Sequence, residues 1–164
     1  SRMNIIAPAD LSLIIKILEV KFIYKSLFFQ FMRDDNWLKQ RLNEIWDLRF
    51  INVPRVNQIN IMFKGKWKTK FGHIKLKNNI TEIVINSLFK HEEVPQYIID
   101  LTIAHELVHY SHGFQSLLER KFNYPHQGGI VRKELKKRGF RGAMELERKI
   151  FRKEWPEIYK KIKN

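Results

Sequence analysis

Three residues in the segment TIAHELVHYSHG stand close enough to do metal chemistry: His105, Glu106 and His109. On a helix, their four-residue histidine spacing means about 40° of rotation and about 6 Å of rise, so two imidazoles can meet one ion. Glu106 follows the first histidine and projects beside that ion. A carboxylate placed there can take a proton from water as it attacks a carbonyl, while the metal polarises the carbonyl. The flanking Ile103, Ala104, Leu107 and Val108 are apolar, as a buried helix at the floor of a cleft requires. The bland alternative is two packed histidines and a solvated glutamate. The chain has no cysteine, which excludes disulfides and thiolate ligands, so the metal must be held by His, Asp or Glu. Zinc is the expected ion and hydrolysis the expected reaction.

A catalytic zinc normally keeps three protein ligands and a water, so a third ligand must come from elsewhere in the chain. His126 sits in NYPHQGG, where Pro125 and two glycines can fix a bend that presents the imidazole. It is the preferred candidate. Glu134, on the following stretch, is the alternative carboxylate ligand, unless it serves only as a helix-surface salt bridge. His112 lies near the face of His105 but about 10 Å along the axis, which suits a supporting or surface role. His73 and His91 read as structural or surface residues. Tyr110 and Tyr124 are candidates for steadying an oxyanion, against the plainer reading of core or rim packing.

The elements that must position these groups can be traced by pattern. Asp10 can cap a helix through the apolar block that follows, and Asp34 or Asp35 a second one carrying Trp37, Leu38, Leu42, Ile45 and Trp46. Residues 57–64, 70–77 and 80–89 are β-branched and roughly alternating, and read as strands. Asn78-Asn79 suits a tight hairpin and Gly65 the turn before it, so the sheet should be mostly antiparallel. Glu92, Glu93 and Pro95 suit the start of a helix from about Val94 to about His112, ended by Gly113. Gly128-Gly129 precede a helical stretch around 130–138. Gly139 and Gly142 separate it from a last helix interrupted by Pro156.

Length and composition bound the rest. At 164 residues, 44% hydrophobic and with 12 Phe, the chain fits one domain with a substantial core, and it has no repeat or linker. Lysine and arginine total 31 against 17 acidic residues, a net charge of +14, which favours acidic partners such as nucleic acid unless it merely solvates the surface. Residues 11–32 are very apolar, but Lys16, Glu19, Lys21 and Lys25 interrupt them. Each charge near a bilayer centre costs about 2.5–3.5 kcal/mol, so a buried amphipathic helix is expected rather than membrane insertion. No signal-peptide pattern is evident, and a cytoplasmic protein is expected. Ser1 and Arg2 ahead of Met3 read as a cloning remnant.

Over residues 55–140 the chain resembles the SprT-like and minigluzincin group of compact zinc metallopeptidases, through ITEIVINSLF, VPQYIIDLTIAHELVHYSHG and PHQGGIVRKELKKRGF. It departs from that group where Gly129-Ile130 stand in place of an aromatic residue. The resemblance implies a zincin-like α+β fold, a three-stranded sheet packed on the metal helix, with a downstream histidine or glutamate completing the site. It also implies that Ile83 to Leu88 flank an extended peptide, held through backbone hydrogen bonds. The expected organisation is one domain: a helical layer at 1–53, a metal-binding core at 54–140 and a helical tail at 141–164. That tail either covers the cleft or packs on the domain. The expected function is peptide hydrolysis, with Glu106 as acid and base and His105, His109 and His126 as ligands. The alternatives are a basic protein attached to nucleic acid that acts on DNA-bound proteins, and one whose metal site does no catalysis.

Overall fold

The computed structural model describes the backbone of residues 8–164 and the side chains of 11–24 and 32–164. Ser1, Arg2 and Met3 lie outside the described residues. The chain divides into two compact units, one ending at Met32 and one running Arg33–Asn164. The first holds helix α1 (Pro8–Phe31). Asp10 falls inside this helix rather than at its start, and its side chain lies outside the described residues. The expected buried amphipathic helix is corrected, because residues 11–24 are all exposed. Positions 11, 14, 15 and 18 fill one side with apolar groups and 13, 17, 20 and 24 the opposite side, so no single stripe exists to bury. No described helix is long and apolar enough to cross a membrane.

The second unit is α+β. Helix α2 (Asp35–Arg49) starts at Asp34, whose carboxylate accepts the Trp37 N–H at 2.8 Å, and buries Leu38, Leu42, Ile45 and Trp46. Strands β1 (Ile59–Phe63), β2 (Gly72–Lys77) and β3 (Ile80–Ile85) follow. Asn78 and Asn79 both adopt positive φ, 49° and 60°, and close the expected β2–β3 hairpin. The sheet as a whole is mixed, with order β1-β3-β2 and a parallel β1–β3 pair, which corrects the mostly antiparallel expectation. The reason lies in residues 64–71, which cross over so that β2 lands one position out and β3 returns into the gap beside β1. Buried Asn86 holds that crossover, donating to the Trp67 and Lys70 carbonyls at 2.7 and 3.0 Å. The third strand is also shorter than its pattern suggests, since Ser87–Lys90 turn as a 3₁₀ helix capped by Asn86.

Helix α3 (Gln96–Ser111) packs on the sheet and α2, and its side chains Ile98, Ile99, Ile103 and Leu107 share one buried core with Ile83 and Ile85. Arg41 of α2 grips Asp100 of α3 with two parallel hydrogen bonds, at 3.0 and 2.8 Å. Helices α4 (Ile130–Lys137), α5 (Arg141–Lys153) and α6 (Trp155–Ile162) complete the unit. Pro156 opens α6, where its missing N–H costs nothing. The tail packs on the domain: the Phe71 and Phe151 rings stack at 4.2 Å, and Trp155 Nε1 donates to the Lys68 carbonyl at 2.7 Å.

Candidate metal centre

The chain enters α3 through Pro95 in an extended conformation and leaves at Gly113, whose φ of 79° is the left-handed conformation that ends many helices. A side chain at Gly113 would lie 2.3 Å from the Glu119 carbonyl, so glycine also lets the following segment pack back closely. That segment leads to a turn in which the Gly129 N–H reaches the His126 carbonyl at 3.3 Å. Gly128 and Gly129 both take positive φ there, bending the chain into α4.

These two elements bring three imidazoles together. His105 Nε2 and His109 Nε2 are 3.2 Å apart, and a ring nitrogen of His126 joins them, all three lying within 4.8 Å of one another. His109 is buried, His105 half-buried and His126 exposed, so the group meets solvent mainly through the turn. Burial pushes the His105 ring down to about 4 and the His109 ring to about 3, with neighbouring histidines adding to both shifts. Each is therefore a neutral imidazole with a lone pair to offer at physiological pH. The Nδ1 atom of His109 is buried without a hydrogen-bond partner. Three imidazoles whose ring nitrogens lie this close together can hold a metal ion.

Glu106 is 6% exposed, and burial lifts its carboxyl to about 8 against the opposing charge of Lys70. Gly72 lets β2 lie close beside it: a β-carbon at that position would lie 2.8 Å from Thr102 Cγ2 and from the Val84 carbonyl, and in ordinary contact, at 3.5 Å, with Glu106 Oε1. A glycine inside a strand signals such close approach, and reading residues 70–77 simply as a strand passed over that signal.

Glu134 is elsewhere. Its carboxylate accepts from Arg138 Nε at 2.8 Å, and it lines a separate groove with Arg49 and Asn52. His112 is buried rather than on the surface, and packs its ring edge-on to Phe122 at 4.8 Å. His73 leans on Trp67, while His91 Nδ1 accepts the Glu93 N–H at 3.2 Å in the turn before α3. Tyr110 is fully buried and committed to structure, donating to Asn57 Oδ1 at 2.9 Å and accepting the Val56 N–H at 3.1 Å. Tyr124 is 70% exposed.

Two clefts meet at the centre and share Gly72, His105 and Glu106. One, of about 320 Å³, runs past Ile74, Phe114, Gln115 and His126. The other, of about 580 Å³, runs between the crossover, α3, α4 and α5, past Lys70, Arg132, Glu147 and Arg148. Burial holds the Glu147 carboxyl above the usual carboxylate range, with Arg132 pulling the other way. Sequence reading missed these four residues, because no local pattern marks side chains that converge from three elements.

The strand beside the clefts is β2, and it is an edge. The implied placement of Ile83 to Leu88 along substrate is corrected: β3 is the central strand and both its edges are taken. In the β2–β3 register, Lys77 and Ile80 close the hairpin as a hydrogen-bonded pair, so Gly72, Ile74 and Leu76 direct their backbone groups outward. Gln115 Oε1 already accepts the Leu76 N–H, at 2.8 Å. No protein-family model matches the chain, and neither a curated protein nor a solved structure matches it.

Proposed function

We propose that this protein is a zinc-dependent peptidase in which His105, His109 and His126 hold the ion and Glu106 is the general base. The observation that carries the reading is the convergence of three imidazoles and one buried carboxylate where two clefts meet beside a sheet edge. The donor set suits zinc: imidazole is a preferred ligand, and nitrogens about 2.0–2.1 Å from a tetrahedral ion stand roughly 3.3 Å apart, close to the 3.2 Å between His105 and His109. Bound there, zinc would supply Lewis acidity, polarising a carbonyl and making water nucleophilic at neutral pH.

The protein's own groups do the remaining work. Burial holds the Glu106 carboxyl at about 8, and beside a bound dication it is drawn back to the ionised form. Glu106 then accepts the water's proton on a carboxylate oxygen and delivers it to the leaving amine, so one residue serves as base and then acid. The outward backbone groups of Gly72 and Ile74 pair with an extended peptide laid antiparallel or parallel along β2, fixing it without reading its side chains. The test is Glu106→Gln. It should retain zinc by metal analysis and lose roughly 10²–10⁴-fold in peptide hydrolysis, because the amide keeps the shape and cannot accept a proton. Undiminished hydrolysis in that variant overturns the mechanism.

A second reading, attachment to nucleic acid, draws on the exposed Arg132, Lys133, Lys136 and Lys137 of α4 and the exposed Arg148, Lys149, Arg152 and Lys153 of α5. It requires affinity for DNA or RNA that falls steeply with salt and ignores sequence. Absence of binding at low ionic strength leaves the charge as a solubility feature.

A further inference from the structure

We infer that the cleft of about 580 Å³ beside Glu106 is a specificity pocket for a glutamate side chain of the substrate, close to the bond that is cut. The inference rests on the peptidase reading for its choice of a peptide as occupant. The volume lies within the roughly 300–1,000 Å³ of ligand pockets. Its lining has two characters. Leu101, Leu135, Met144 and Phe71 give an apolar floor, while Lys70, Arg132 and Arg148 bring positive charge from three separate elements. Glutamate matches both, with methylenes for the floor and a carboxylate for the cations.

The cations are available for such a partner. None of the three makes an ion pair among the described residues, whereas Arg41 and Arg138 are each spent on a carboxylate. Lys70 is held in place by the Trp67 ring, its ammonium 4.8 Å from the centroid. Glu147 faces the same space and offsets one of the three positive charges, so the cleft keeps a net positive charge for an incoming anion and loses it when both arginines are removed. A guanidinium recognises a carboxylate through two parallel hydrogen bonds, which an amide cannot reproduce. Glutamate should therefore be preferred over glutamine of the same size.

The experiment uses labelled acetyl-Ala-Ala-Xaa-Ala-Ala-amide peptides with Glu, Gln or Lys at the central position. Binding is read by fluorescence anisotropy on zinc-loaded Glu106→Gln protein, and cleavage on the unaltered protein. The Glu peptide should bind about tenfold tighter than the Gln peptide or better. Arg132→Ala combined with Arg148→Ala should level the two, and Arg148→Glu should shift preference toward Lys. Both arginines are exposed, so circular dichroism should be unchanged. Equal binding of Glu and Gln, or no binding of any peptide, overturns the pocket. Glutamate-selective binding without cleavage sustains the pocket and sinks the hydrolytic reading, and cleavage without selectivity does the reverse. Oligothymidylate that binds through the same arginines, with no preference for Glu, assigns the cleft to nucleic acid and overturns the inference.

Discussion

The candidate metal centre is built from two unlike halves. His105 and His109 sit one turn apart on α3, a helix buried on most sides and tied to α2 through Arg41 and Asp100. His126 stands on an exposed turn between Pro125 and two glycines in left-handed conformations. The helix uses core burial to fix its histidines, whereas the turn contributes one histidine and almost no core. The difference teaches that one side of the site is inseparable from folding and the other can change while the domain stays intact.

Breaking the helical half should have the largest effect. His109→Ala should abolish zinc binding, and with it a stabilisation of about 4 kcal/mol at zinc about a thousandfold above Kd. Because His109 is 6% exposed, the metal-free protein should also lose about 1–3 kcal/mol, read from denaturant unfolding. His126→Ala comes next. Loss of a ligand should weaken zinc by more than the roughly 10–100-fold typical of groups that merely orient one, while metal-free stability stays within about 0.5 kcal/mol. If both variants lower metal-free stability alike, the contrast between the halves is wrong.

Gly72→Ala probes the wall against which Glu106 packs. The new methyl meets Thr102 and the Val84 carbonyl at 2.8 Å, so stability should fall by about 1–3 kcal/mol and hydrolysis should fall with zinc retained. Glu134→Ala should be smallest, with zinc titration unchanged and about 0.5 kcal/mol lost through Arg138. Zinc lost on changing Glu134 and kept on changing His126 would exchange their roles.

Local signals were the legible ones. The Asp34 cap, the Asn78-Asn79 turn, the stop at Gly113 and the paired histidines of α3 each follow from a few adjacent residues. His126 was legible as a candidate because Pro and Gly announce a bend, but its approach to His109 depends on how the segment after Gly113 folds back. Strand order was not legible, since the parallel β1–β3 pair depends on a crossover held by one buried side chain, Asn86. The exposure of residues 11–24 was misread because apolar content says how much surface a helix would bury, and not whether a partner face exists. The cations of the larger cleft come together only in the folded chain.

Arg33 stands at the first residue of the second unit, and its Nη1 lies 2.7–3.0 Å from the carbonyl oxygens of Phe89, His91 and Val94, in the run that leads into α3. The entrance to the metal helix is thus fastened by the opposite end of its own unit. For limited proteolysis, this places a sharp boundary: a cut that removes α1 and spares Arg33 keeps the fastening. A cut one residue later removes the guanidinium that ties the three carbonyls together, leaving the His91 carbonyl only its Val94 N–H, and loosens the start of α3, which would register as faster amide exchange there before the centre itself is lost.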